Sequence, residues 1–140
     1  MYISKIFLTV DNVVVREIDN NIEILLIKRL KEPFMDYWAL PGGFVDENED
    51  LETAAKRELF EETCVKVENV FQIGAYGKPF RDPRSHVVSV AYFSRVENTV
   101  IAKAADDAKE FKWFNIKSLP PTAFDHSEII SDAILKYRLI

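Results

Sequence analysis

The chain has 140 residues and a mass of 16.2 kDa, the size of one compact domain. Hydrophobic residues make up 48% of it and aromatics 12%, enough for a full core and too much for a disordered chain. The net charge of -5 argues against a binder of nucleic-acid backbones, which needs a basic face, so no nucleic-acid partner is expected. The longest apolar stretches, such as Ile24 to Ile27, are far too short for a bilayer, and residues 1–10 have neither a long apolar run nor a small-residue cleavage site. No membrane partner and no secretory leader are therefore expected. The single cysteine, Cys64, forms no internal disulfide, and a cytoplasmic location follows as the expectation.

In chain order, Lys5 to Val15 mixes β-branched and aromatic residues and reads as one or two strands broken near Asp11-Asn12. Asp19-Asn20-Asn21 is a turn signal, and Ile22 to Arg29 is a strongly apolar strand suited to the middle of a sheet. Tyr37 to Leu40 is a short strand stopping at Pro41-Gly42-Gly43, a tight turn expected to need unusual backbone angles. Asp50 to Thr63 reads as a helix with Asp50 as N-cap and Leu51, Ala54, Ala55 and Leu59 as its apolar stripe. Val65 to Tyr76, His86 to Val96 and Phe111 to Phe114 read as strands. A final helix starts at a capping box of Asp125 with Glu128 and a staple of Phe124 with Ile129. Its buried face would be Ile129, Ile130, Ala133, Ile134 and Tyr137. Strands interleaved with two helices imply a single α/β domain over residues 1–140, a sheet covered on both faces.

The acidity is concentrated in one place. Residues 46–62 hold eight acids and two bases, so a window of -6 within a chain of -5 leaves +1 for all the rest. Glu58, Glu61 and Glu62 share one helical face, where like charges oppose each other unless cations neutralise them. Hard carboxylate oxygens suit Mg2+ or Mn2+, with waters and substrate phosphates completing the shell.

The spacing of the whole segment resembles the Nudix hydrolase motif. Gly43, Glu49, Arg57-Glu58, Leu59, Glu61-Glu62 and Val65 each stand at the required interval, so eight of nine defined positions match. The ninth, usually glycine, is Cys64; a side chain there disfavours a left-handed cap, so an altered helix exit is expected, with the cysteine as a small buried apolar residue. The resemblance implies a Nudix fold, a mixed sheet sandwiched between helices. It also implies a Mg2+-dependent hydrolase of nucleoside diphosphates linked to another group. Glu58 and Glu62 would be the principal metal ligands, Glu61 would bind the metal or orient a metal-bound water, and the Gly42 carbonyl would complete the shell. Glu49 and Arg57 would form a structural ion pair.

Arg81 and Arg84, in the basic loop of residues 78–84, and Arg29, after Lys28, are candidate phosphate-binding residues because forked guanidinium groups suit phosphate. Phe34, Tyr37 and Trp38 are candidates to stack on a base. Asp107, with Asp106 and Glu110 as alternatives, is the expected catalytic carboxylate from a later loop; His126 is expected to cap or pack near the last helix. Residues 76–92, Leu119-Pro120-Pro121 and Phe124-Asp125-His126 are similar to members acting on ADP-ribose. ADP-ribose is therefore the leading small-molecule substrate. A nucleoside triphosphate pyrophosphohydrolase and a non-catalytic sensor are the alternatives, and a homodimer is compatible with the resemblance.

Overall fold

The computed structural model describes residues 2–103 and 110–140. Seven strands form one sheet: β1 (Ile6–Ile18), β2 (Asn21–Lys28), β3 (Trp38–Ala39), β4 (Gly42–Phe44), β5 (Phe71–Tyr76), β6 (His86–Arg95) and β7 (Phe111–Asn115). Two helices, α1 (Leu51–Thr63) and α2 (His126–Tyr137), complete the described secondary structure. The sheet runs β3-β2-β1-β6-β5, with β4 also paired to β1 and β7 to β2. It is mixed: β1 and β6 are parallel over ten residue pairs, from Ile6↔His86 to Val15↔Arg95, and the remaining pairings are antiparallel.

The period-2 alternation of strand side chains sends each central strand to two cores. Val13 and Val15 of β1, Ile24 and Leu26 of β2, and Ala91 and Phe93 of β6 pack with Ile129, Ile130 and Ala133 of α2. On the opposite face Val10, Val90 and Tyr92 meet Ala54 and Ala55 of α1, while Val14 and Leu25 meet Leu59. Both faces are therefore covered by a helix, as the α/β/α expectation required. Among the described residues, no helix is long and apolar enough to cross a membrane.

Three local expectations are corrected. β1 runs unbroken through Asp11 and Asn12, which are buried at 7% and 1% exposure. Asn12 is tolerated because its Nδ2 donates to the Pro41 carbonyl (3.2 Å) and the Ala55 carbonyl (3.0 Å). Residues 65–70 form no strand, so β5 starts only at Phe71. At α2, Asp125 makes no side-chain cap bond, and Phe124 and Ile129 pack in separate clusters, so neither capping box nor staple forms. Arg81 takes the Asp125 carboxylate instead.

β1 and β2 pair with each other only near their hairpin, from Ile18↔Asn21 to Val15↔Ile24. Farther along, residues 38–44 bridge the two: β3 pairs with the end of β2, and β4 pairs with Thr9–Asp11 of β1. That inserted segment carries the Pro41-Gly42-Gly43 sequence. Asn12→Asp keeps the size but replaces both donors with a carboxylate facing two carbonyls. It should lower the unfolding free energy by about 3 kcal/mol or more in urea denaturation. A variant within roughly 1 kcal/mol of the parent would show that Asn12 does not hold the segment.

Candidate active site

Helix α1 begins as the sequence predicts: the Asp50 carboxylate accepts from the Glu52 and Thr53 N–H groups. Its end differs. Cys64 itself adopts the left-handed conformation (φ 60°), donating its N–H to the Phe60 carbonyl at 2.8 Å. The side chain is exposed, not buried. The helix exit that glycine would provide is thus kept, at a local backbone cost of about 1 kcal/mol.

Gly42 and Gly43 correct another expectation, since neither has positive φ. Both lie in extended backbone, and what they supply is close approach. A Cβ on Gly42 would run into the Val10 carbonyl oxygen and stand 2.7 Å from Asp11 Oδ1. One on Gly43 would lie 2.6 Å from Glu58 Oε2. The glycine ribbon is therefore wedged between β1 and the carboxylates of α1. The Gly42 N–H donates to Glu62 Oε1 at 2.8 Å, and Glu62 is only 6% exposed.

Arg57 organises the remaining acids. Its Nε and Nη2 bind both oxygens of Glu49 (2.6 and 2.9 Å), and Nη2 also donates to the Phe44 carbonyl at 3.1 Å. Nη1 reaches Glu58 at 2.9 Å and Glu61 at 3.2 Å. The Arg57 bonds and the Asp46 N–H pull the Glu49 carboxyl from its ordinary value of 4.5 to about 2. The same bonds, with Glu49 first, raise Arg57 above the usual guanidinium range. Among the described residues, no three His, Cys, Asp or Glu side chains converge to enclose an ion. In the conformation seen here Glu58 and Glu61 meet Arg57, and Glu62 meets a backbone N–H. The donor chemistry nevertheless fits a hard divalent cation: three carboxylates within one helical turn, beside backbone that no Cβ shields.

A cavity of about 410 Å³ opens next to this ribbon. Glu62, Gly42 and Gly43 reach it, whereas Glu58 and Glu61 do not line it. Its floor holds Asp11, whose Oδ2 accepts from the Ser89 hydroxyl at 2.5 Å and whose Oδ1 lies 3.5 Å from His126 Nε2. His126 Nδ1 accepts the Leu40 N–H at 3.0 Å, which puts the ring proton on Nε2 facing Asp11. Burial pushes the His126 pKa down, holding it neutral.

The candidate phosphate-binding arginines divide. Arg29 and Arg84 both line the cavity and both lie over the Phe124 ring, with Cζ 4.9 and 5.6 Å from its centroid. Arg84 is steadied by Asp82 (2.7 and 3.1 Å) and is still 45% exposed at its side chain. Arg81 lines the cavity too, but its side chain is 5% exposed and its Nε and Nη2 grip Asp125 at 2.8 and 2.5 Å. It braces the loop against the start of α2. Tyr37 stands outside the cavity lining, edge-on to Phe34, and Trp38 is packed against Phe114. Asp106 and Asp107 lie outside the described residues; Glu110 is exposed, and its carbonyl accepts the Lys28 N–H.

Sequence reasoning gave no place in the pocket to Asp11, Asp82 or Phe124, which line it. The available signal for Asp11 was a polar pair inside an otherwise β-branched strand, which marks either a break or a buried network. Arg57→Gln should return the Glu49 carboxyl from about 2 toward its ordinary 4.5 in an NMR titration of the side-chain carbonyl. Because the folded value is the depressed one, Glu49 contributes stability fully above pH 4.5 and loses it as pH falls toward 2. An unshifted Glu49 in the variant would exclude Arg57 as the cause.

Residues 8–133 match the model of the NUDIX domain. The chain is 45% identical to the ADP-ribose pyrophosphatase of Methanocaldococcus jannaschii over 115 residues, 82% of this chain and 68% of that protein. A MutT/nudix family protein from Enterococcus faecalis superposes with a TM-score of 0.90 at 35% identity, covering 99% of this chain and 64% of that one. The NUDIX domain of Shewanella oneidensis NrtR, solved with ADP ribose, superposes at 0.88 and 32% identity, covering 99% and 91%. The wedged glycines, the acid-bearing helix and these likenesses converge, and the chain belongs to the Nudix hydrolase family.

Proposed function

We propose that the protein hydrolyses ADP-ribose to AMP and ribose 5-phosphate, with Mg2+ or Mn2+ held by Glu58, Glu61, Glu62 and the Gly42 carbonyl. Water adds to one phosphorus as the bridging P–O bond breaks. The observation that carries this reading is the polarity of the cavity, with Glu62 at the glycine ribbon and the Arg29 and Arg84 guanidiniums on its other walls. Such a pocket suits a diphosphate, whose negative charge needs cations on more than one side. A divalent ion bound there would neutralise developing charge and acidify its water. Arg29 and Arg84 orient the diphosphate. Glu49 and Arg57 hold the loop against α1 and so fix the Glu58 side chain. Asp107, or its neighbours Asp106 and Glu110, serves as the later carboxylate that accepts the proton of the attacking water.

The substrate choice is supported by the archaeal pyrophosphatase and by the ADP ribose complex of the NrtR domain. The chain spans about two thirds of the pyrophosphatase and of the Enterococcus protein, so their full activities are not carried over whole. The likeness to the NrtR domain, a domain solved with bound ADP ribose, favours a second reading as a sensor.

A panel of ADP-ribose and deoxynucleoside triphosphates with Mg2+ tests the proposal. ADP-ribose should turn over, and chelation of the metal should abolish the activity. Glu62→Gln should cut kcat on the order of a hundredfold or more while leaving the melting temperature equal or higher. The amide oxygen can still accept the Gly42 N–H, and the melting temperature separates a catalytic loss from a folding one. Turnover of triphosphates with none of ADP-ribose would overturn the substrate; ADP-ribose binding without metal-dependent turnover would establish the sensor.

A further inference from the structure

We propose that Phe124 is a positioning residue whose ring sets the spacing of the Arg29 and Arg84 guanidiniums, so that the two arginines receive a diphosphate as one preformed clamp. The inference rests on the diphosphate reading above. Arg29 follows the end of β2 and Arg84 lies in the loop between β5 and β6, so no shared element fixes their separation. Their like charges repel; burial, and after it the Arg84 charge, pushes the Arg29 pKa below its ordinary value. Both cations nevertheless meet on a single aromatic ring, at 4.9 and 5.6 Å. The negative face of a benzene ring attracts a cation, which an aliphatic side chain of the same volume cannot do.

The ring is itself held with care. Phe124 has φ 52°, in the left-handed region that bulky residues avoid, and such strain persists only where the surroundings over-determine it. The surroundings here are specific: the Phe34 ring at 4.9 Å, itself on a residue with φ 61°, and the His126 ring at 5.5 Å. The preceding Ala123 is pinned by its N–H to the Trp38 carbonyl at 2.8 Å. Each arginine also has a second partner, Arg29 the Pro33 carbonyl (2.7 Å to Nε) and Arg84 the Asp82 carboxylate. The ring thus forms the inner stop for two side chains tethered independently. A residue needed only for packing could sit in the apolar cluster it borders without lying under two charges.

The test uses the full chain with Phe124→Leu and Phe124→Tyr, and inorganic pyrophosphate without metal as the probe in calorimetry. Phe124→Leu should weaken pyrophosphate binding about tenfold and raise KM for ADP-ribose by a similar factor. Its kcat should stay within about threefold. Phe124→Tyr, which keeps the ring face, should bind and turn over like the parent. Arg29→Ala should weaken pyrophosphate binding less in the Leu background than in the parent, because the spacing it depends on is already lost. If Phe124→Leu does not fold, Phe124→Met carries the same expectation. Unchanged pyrophosphate binding in the Leu or Met variant would overturn the proposal, as would a parent that does not bind pyrophosphate or a Tyr variant as weak as Leu. A parent that binds pyrophosphate in a Phe124-dependent manner but leaves ADP-ribose intact would refute the substrate and uphold the clamp.

Discussion

Residues 40–42 cross the gap where β1 and β2 part, and a buried backbone in such a place must find partners outside a regular ladder. Its N–H groups and the Pro41 carbonyl do. The Leu40 N–H goes to the His126 ring, Pro41 has no N–H to satisfy, and the Gly42 N–H goes to Glu62. The Pro41 carbonyl accepts from both the backbone and the side chain of Asn12. One tripeptide therefore ties together β1, α1 and α2. Glu62, the acid of the helix face that lines the cavity, is positioned by this tie, and that is why the glycine ribbon and the acidic helix keep a fixed relation. It also explains the residue choices. Proline removes a donor, and glycine removes the Cβ that would strike β1.

The same economy governs charge. A helix segment with three glutamates on one face is unfavourable by itself. Arg57 lies among Glu49, Glu58 and Glu61 and meets all three, so the local excess of negative charge is moderated from within the motif. Across the cavity the pattern is reversed: arginines dominate, and Asp82 and Asp125 moderate them. Each wall carries its own counter-charge, while a net difference in sign remains from one side to the other.

What could be read from the chain was whatever is decided locally. The Asp50 cap, the stripe of Ala54, Ala55 and Leu59, the apolar β2 and the spacing from Gly43 to Val65 depend on neighbours within a few turns, and the sequence displays them. The errors at Asp11-Asn12, at Asp125 and at the glycines share one cause, a partner far along the chain. Asp11-Asn12 looks like a strand break until Pro41 and Ala55, 29 and 43 positions beyond Asn12, offer it acceptors. Asp125 looks like a helix cap until Arg81, 44 positions earlier, claims its carboxylate. The same pairing makes Arg81 a brace as well as a cavity-lining residue. Gly42 and Gly43 were recognisable as necessary, but whether for backbone angle or for contact depends on Val10 and Glu58, which only the folded sheet brings near. Cys64 shows a different limit: a residue with a side chain can adopt a glycine-like angle when the helix end demands it.

The parallel pairing of β1 with β6 joins residues eighty positions apart at every step from Ile6↔His86 to Val15↔Arg95. Ladders of such separation are slow to nucleate, because the intervening chain must be closed before any of them is rewarded. Helix α1, by contrast, can form early from local contacts. On a ribosome the acidic helix would thus be made and partly structured well before His86 to Arg95 emerge, and β1 would wait with its edge unpaired. Only when β6 docks do the Asp11 side of the cavity and the Arg81–Arg84 loop come together. The pocket is then one of the last features of the molecule to exist, and a chain interrupted before Arg95 would carry the entire Gly43-to-Val65 motif with no cavity for it to serve.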